Sequence, residues 1–426
     1  MKRAKTLACA LMIATAADGQ ASAAIGPALP EQACKGTRGY ASSFGGRRTF
    51  LLKPNELTSI KSAVRTEPVE RAAYDELIRR ADAALVRRHA SVMDKTSLPP
   101  SGDRHDYMSL APYWWPDPAN PAGSYVRRDG EVNPQRATKA FDHAAISRMS
   151  DDVTSLSLAY YYSDDARYAA KAAELIRTWF LDAATSMNPN ARFAQAVPGQ
   201  ADGRPEGILD TSDFQTVIEA VGLIAPSRAL KADEERRLER WFSDYVDWLL
   251  TSPMGKEESG AKNNHGIWFD SQITHYALFA RRFEIARAVV RAFADKRIAT
   301  QFDPSGRLPA ELTRTRSFHY SIFALIPSYN VADLARCVDY DLWNYRAGDG
   351  RGLRAATDFL ASYRNRTRTW PFKEIRWDLG ELDALLTRAD SAWGRGTYPH
   401  ATPGYPVDLE YRGTGADHLE AGSTNP

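Results

Sequence analysis

The chain has 426 residues, with 55 Lys and Arg against 53 Asp and Glu. That length admits one large domain or two, and a formal net charge of +2 excludes the broad basic footprint of a nucleic-acid binder, leaving room only for a local basic cleft. The first 23 residues carry that excess (Lys2, Arg3 and Lys5 against Asp18), so the remainder is close to neutral.

The chain opens on a basic stretch, an apolar run from Leu7 to Ala17, and the small residues Ala21-Ser22-Ala23. This is the pattern of a secretory signal over residues 1–23, and it places the protein in the periplasm or outside the cell. No later run of about 18 apolar residues exists, so no membrane contact is expected once the signal is gone. Removing it leaves Cys34 and Cys337. Two cysteines can pair in an oxidising compartment, but their separation in space is not written in the sequence. There is no CxxC, no Cys/His metal spacing and no HExxH, so neither a metal nor a cofactor is expected.

Residues 24–54 are rich in Gly and Pro and read as a loosely ordered arm. From Glu67 to about Ala90 the apolar residues recur at helical spacing. A long non-helical stretch follows, from about Thr96 to Asn133, containing Tyr113-Trp114-Trp115-Pro116. A loop of that length with so many aromatics is expected to work rather than to be disordered. Helices then dominate, over 135–162, 166–182, 211–225, 231–251, 264–280, 282–298, 318–326, 331–337, 351–363 and 379–389. Pro253-Met254-Gly255 reads as a helix stop. Helices in such close succession form antiparallel hairpins. The expected fold is therefore all-α: an (α/α) toroid, complete or incomplete, of about six to seven helical hairpins over residues 55–400, with long active-site loops. The apolar segment 267–279 fits an inner helix; 231–241, with its row of Glu and Arg, fits an outer one. Residues 401–426 form a polar, Gly-rich tail.

One stretch asks for more than packing. In KNNHGIWFDSQITHY, residues 262–276, Asn263, Asn264 and His265 stand at the entry of an apolar helix. Taken alone they read as an N-cap and a satisfied core histidine. Some fifty residues on, ELTRTRSFHYS (311–321) offers Arg314, Arg316, His319 and Tyr320. There is no Gly-rich phosphate loop and no GxSxG elbow nearby. Amides, an imidazole, a guanidinium and a phenol suit removal of a carbon-bound proton beside a carboxylate. Amide and guanidinium would neutralise the carboxylate and the enolate-like charge, while imidazole or phenolate takes the proton and the phenol returns one to the leaving oxygen. Arg316, four before Tyr320, shares its face if the segment is helical; Arg314, six before, would need a non-helical approach.

Three blocks carry a family likeness: HDYMSLAPYWWPD (105–117) continuing to RDGEVNP (128–134), NNHGIWFD (263–270), and ELTRTRSFHYS (311–321). On them the chain resembles the bacterial alginate-lyase-type polysaccharide lyases, which include poly-mannuronate and glucuronan lyases. The resemblance implies an (α/α) toroid and cleavage of a β-1,4-linked polyuronate by β-elimination, leaving 4,5-unsaturated ends. It implies that Asn264 and Arg314 hold the uronate carboxylate. His265 would assist or act as base, and Tyr320 would be base, acid or both. Candidate substrate contacts are Asn263, His105, Tyr107, Trp114, Trp115, Gln195, Arg316 and His319, with Arg204 beside them. Each has a plainer reading: loop anchors for His105 and Tyr107, packing for the tryptophans and His319, a solvated face for the arginines. The expected partner is an acidic polysaccharide. Two rivals are a glycoside hydrolase on a similar toroid, with Asp210, Asp213 or Asp270 as acids, and a non-catalytic polyuronate-binding protein.

Overall fold

The computed structural model describes residues 34, 41, 44–120, 123–364, 369–394 and 396–398. The expected signal, most of the expected arm and the expected tail lie outside the described residues.

The described chain is mostly helical. Helices α1 (Pro54–Ala63) and α2 (Pro68–Val86) come first. Four short strands follow through the loops: β1 (Met108–Leu110), β2 (Trp114–Trp115), β3 (Val126–Arg127) and β4 (Phe193–Ala196). β1 pairs with β4 in parallel, and β2 with β3 antiparallel. Around them run α3 (His143–Ser163), α4 (Ala166–Phe180), α5 (Phe214–Ile224), α6 (Ala232–Thr251), α7 (Pro253–Gly260), α8 (Asn264–Phe279) and α9 (Phe283–Phe293). The short α10 (Ala299–Gln301) and α11 (Pro309–Leu312) lead to α12 (Ser317–Ala335), α13 (Leu353–Ala361) and α14 (Gly380–Trp393).

Burial sorts these into two layers. Every residue of α5 and α12 is buried, and all of α8 except His265. A helix apolar all round belongs inside. α8 packs on α5 and on α12, and α3 on α5, so α3, α5, α8 and α12 are successive inner helices. α6 is the opposite case. Leu238, Trp241, Phe242, Tyr245, Val246 and Leu249 are buried at helical spacing, while Asp233, Arg236 and Arg240 face solvent. α4, α6 and α9 cover the ring from outside. This is the expected (α/α) toroid architecture.

All four inner helices run the same way. Their N-termini meet at the end where the long loops lie. Their C-termini meet at the other end, which the segment before α1 closes. There Arg47 Nε donates to the carbonyl of Leu223 (3.1 Å), Arg48 Nη2 to that of Phe279 (3.1 Å), and Lys61 Nζ to that of Tyr161 (2.6 Å). Each carbonyl belongs to the last turn of an inner helix, where cations offset unsatisfied acceptors and the dipole. Glu219 of α5 accepts the backbone N–H groups of Phe50 and Leu52 and contacts His275 Nε2 at 2.9 Å. A disulfide joins Cys34 to Cys337, just past α12. The expected loosely ordered arm therefore ends in a packed stretch: Phe50 is fully buried.

Three boundaries differ from the sequence reading. α12 is one helix, with Pro327 inside it, rather than two; burial on all sides outweighs the hydrogen bond that proline removes. α6 ends at Thr251, where the stop was expected, but Pro253 also begins a further helix, α7, with Ser252 capping it from the side chain. The expected helix at 135 starts only at His143, after a single turn over Pro134–Ala137. Among the described residues no helix is long and apolar enough to cross a membrane.

Candidate active site

Two inner helices deliver the polar groups. α8 begins with Asn263 as N-cap, its side chain accepting the backbone N–H of His265 (3.1 Å). Asn264 follows, fully buried, its backbone N–H and Nδ2 both donating to the Glu311 carboxylate (2.6 and 2.8 Å). Gly266 is required by close packing. A Cβ there would stand 2.2 Å from the carbonyl of Ala261 and 2.3 Å from Arg297, which is itself paired with Asp270. Tyr320 lies on the first turn of α12.

Arg314 reaches Tyr320 from outside the helix. It sits in the turn before α12 and lays its guanidinium over the Tyr320 ring, 3.7 Å from the centroid. Asp129, in the turn after β3, fixes it from Oδ1 (2.8 Å) and Oδ2 (3.2 Å). Gly130 has φ +83° and lies against Thr315, so the turn closes down on this pair. The Tyr320 hydroxyl is hydrogen-bonded to that of Tyr113, from the loop before β2.

These side chains line one cleft of about 380 Å³. Its floor is Asn263, Asn264, His265, Arg314 and Tyr320, with Phe323 and Leu209; its walls add Tyr113, Trp114, Arg127, Gln195, Arg204 and Glu206. Gln195 holds a left-handed backbone (φ 51°) inside β4, a strained state kept by its surroundings. Its Nε2 donates to buried Asp210 (2.9 Å), and its Oε1 accepts from Arg204 (3.1 Å). Arg204 lies 5.7 Å from the Trp114 ring.

Of the residues singled out in the sequence, Asn263, Asn264, His265, Arg314, Tyr320, Trp114, Gln195 and Arg204 share this cleft. Five others do not line it. His105 Nδ1 meets the carbonyl of Ser186 (2.6 Å), and Tyr107 is buried with its hydroxyl on Asp210 (3.1 Å); both anchor loops. Trp115 donates to the carbonyl of Glu131 (3.0 Å) beneath Arg128. Arg316 is buried, bridging to Glu374 through its backbone. His319, one residue from Tyr320, is turned about 100° around the helix and pairs with Glu381 (2.8 Å). Tyr113, Arg127, Asp129, Glu206, Glu258 and Glu311 were not singled out. Most contacts from these residues to the motifs span long separations, 207 residues for Tyr113 and Tyr320, and no periodicity reports such a meeting; Glu258, seven residues before His265, was missed because the sequence pattern does not announce α7 as a helix.

Electrostatics sorts the proton carriers. Burial, and then the neighbouring Tyr113, push the Tyr320 phenol well above its ordinary value; Arg314 works the other way. The resting phenol keeps its proton. Burial works against a charge on His265, but the Glu258 carboxylate, 2.7 Å from Nδ1, raises it above the ordinary histidine value overall. Burial likewise opposes ionisation of Asp129, yet the Arg314 hydrogen bond holds its carboxyl below the usual range. The cleft thus presents cations and a phenol to whatever enters, with two of its nearby carboxylates engaged by His265 and Asn264.

The model of the alginate lyase family matches residues 91–370 of this chain. The chain is 36% identical to the crystal structure of an alginate lyase from Bacteroides ovatus, covering 88% of this chain and 98% of that one with a TM-score of 0.77. The alginate lyase A1-III of Sphingomonas species A1 is 16% identical, with a TM-score of 0.50 over 88% of this chain and all of that one, a likeness of fold. A variant of alginate lyase A1-III complexed with a tetrasaccharide is likewise 16% identical, with a TM-score of 0.51 over 84% of this chain and 94% of that one. No curated protein sequence matches the chain. The all-α toroid described above therefore belongs to the alginate lyase family, and the protein is a polysaccharide lyase.

Proposed function

We propose that the enzyme cleaves a β-1,4-linked polyuronate of the alginate or glucuronan type by β-elimination. The observation that carries this reading is the meeting of Asn264, His265, Arg314 and Tyr320 on one cleft floor, with Arg127 and Arg204 on its walls. A uronate carboxylate entering the cleft meets His265, Arg314 and the Asn264 amide. These groups stabilise the charge that develops when the C5 proton leaves. The C5 proton passes to a base on the cleft, neutral His265 or the Tyr320 phenolate, the C4=C5 bond forms, and the C4–O bond to the leaving sugar breaks as its oxygen takes up a proton.

Tyr320 is the group we assign to the leaving oxygen, because it rests as a phenol. In mannuronate and glucuronate the C5 hydrogen and C4 oxygen lie on the same side of the ring. One phenol oxygen can then serve both ends: once its own proton has gone to solvent, the phenolate, held by a hydrogen bond from the Tyr113 hydroxyl, takes the C5 proton and returns it to the leaving oxygen. A variant of alginate lyase A1-III is known complexed with a tetrasaccharide, which supports an oligosaccharide as the species held here. Trp114 and Arg204 offer an apolar face and a cation for an adjoining sugar. We also place the enzyme in the periplasm or outside the cell, a reading supported by its disulfide.

The test is product identity. Poly-mannuronate, poly-guluronate and glucuronan are incubated with enzyme and the products examined by mass spectrometry. Unsaturated oligouronates, one water lighter than hydrolysis products, support the proposal; saturated products or none from all three overturn it.

A further inference from the structure

We infer that Glu258 is a positioning residue for the lyase reaction, acting through His265: it accepts a hydrogen bond from Nδ1 and so leaves Nε2 for the cleft. The inference rests on the function proposed above. It begins with α7, a helix of eight residues that the sequence pattern did not announce. Ser252 caps its start (3.0 Å to the N–H of Gly255). Gly255 lets the helix turn tightly off α6, since a Cβ there would lie 1.8 Å from the carbonyl of Leu249. The result turns two neighbouring acids to opposite sides: Glu257 faces solvent, and Glu258 points inward, 3 % exposed. A buried carboxylate is costly unless a partner meets it, and the partner here is His265, at 2.7 Å.

The arrangement decides which ring nitrogen works. A carboxylate on Nδ1 accepts a hydrogen bond from the Nδ1–H in both charge states of the ring, so the neutral tautomer is fixed and Nε2 is either a lone pair or a donor at the cleft. It also favours the imidazolium. Burial opposes that charge; Glu258 more than offsets it, and two further carboxylates face the ring, Glu206 from the Pro205–Thr211 turn and Glu311 from α11. Arg297, beside Gly266, is neutralised by Asp270. Glu258 touches no substrate in this scheme; it orients and charges the group that does.

Glu258→Gln is the informative change, because an amide can donate to Nδ1 and so permits the other tautomer. Two readouts are taken on the full-length protein. The first is the titration of the His265 ring by nitrogen-15 NMR, assigned with His265→Asn, and it needs no substrate. The second is steady-state kinetics on the best polyuronate. We expect the His265 titration to move to lower pH in the variant. We expect kcat to fall by roughly 100-fold with KM changed far less, the scale on which partners that orient a working histidine matter. Glu258→Asp, which keeps the carboxylate, should recover part of both, and it carries the test if the Gln variant does not fold. An unmoved His265 titration in a folded variant, or an unchanged kcat, overturns the inference; so does a loss confined to KM. A wild-type enzyme inactive on every polyuronate would instead sink the proposed function, while the ring titration would still report whether Glu258 sets the state of His265.

Discussion

The guanidinium of Arg314 and the ring of Tyr320 are stacked, 3.7 Å from carbon to centroid, although neither is helical kin of the other: the arginine precedes α12 and folds back over it. The side chain proposed to bind the carboxylate and the one proposed to move a proton are thereby fixed as a unit. Asp129 completes it by gripping the arginine from the β3 turn.

Tyr320→Phe isolates the hydroxyl from this unit. The ring and its stacking on Arg314 stay, while the proton carrier goes. Turnover should fall about 1,000-fold, in the range general acid–base groups contribute. Stability should drop by only about 1 kcal/mol, for the unpaired Tyr113 hydroxyl. Kinetics and thermal melts on the same preparation check both halves.

Arg314→Lys keeps the charge but loses the planar stack and the two-pronged grip on Asp129. We expect kcat/KM to fall about 100-fold, close to 3 kcal/mol of transition-state stabilisation, with the melting temperature little changed. Loss of activity with an equal loss of folded protein would point to a structural role instead.

Not all of this could be read before the fold was known. The inner α8 and the outer α6 were assigned to their layers from their apolar patterns, and the Asn-His and Arg…Tyr blocks marked both helix starts that line the cleft. The misses gather at prolines: α1 and α7, which open at Pro54 and Pro253, were not expected, and α12 carries Pro327 inside it instead of breaking there, although the stop expected at Pro253 does end α6. The sequence could not separate Tyr320 from His319, since one step of a helix decides which faces the cleft and which meets Glu381. Nor could it find Tyr113 or Glu311, each of which meets a residue distant in the chain, or Glu258, which comes near His265 only because α7 folds as a helix.

The closed end of the toroid gives a prediction about stability. The Cys34–Cys337 bridge ties the N-terminal segment to the end of α12 across 303 residues of chain. Cys337→Ser should cost about 2–4 kcal/mol of unfolding free energy, measured by urea denaturation, with kcat on the best substrate nearly unchanged because the bridge lies at the end away from the cleft.

Acid sensitivity has an identifiable contributor on the outer layer. The hydrogen bond from Arg177 holds Glu234 down to about 2, with the Lys231 N–H also on its carboxylate. A carboxyl depressed in the folded state stabilises above its unfolded value near 4.5 and loses that contribution as pH falls toward 2. Stability of the wild type should therefore decline through that window, and Glu234→Gln should flatten the decline. Identical pH profiles for the two proteins, from denaturant melts between pH 5 and 2, would remove Glu234 from the account.

Elimination at the Tyr320 cleft is read most directly from the ultraviolet absorbance of the conjugated product over time. Wild type and Tyr320→Phe are run in parallel on poly-mannuronate, poly-guluronate and glucuronan. A steady rise is expected for wild type on poly-mannuronate or glucuronan and almost none for the variant. A flat trace for wild type on all three, or an equal rise for both proteins, would contradict it.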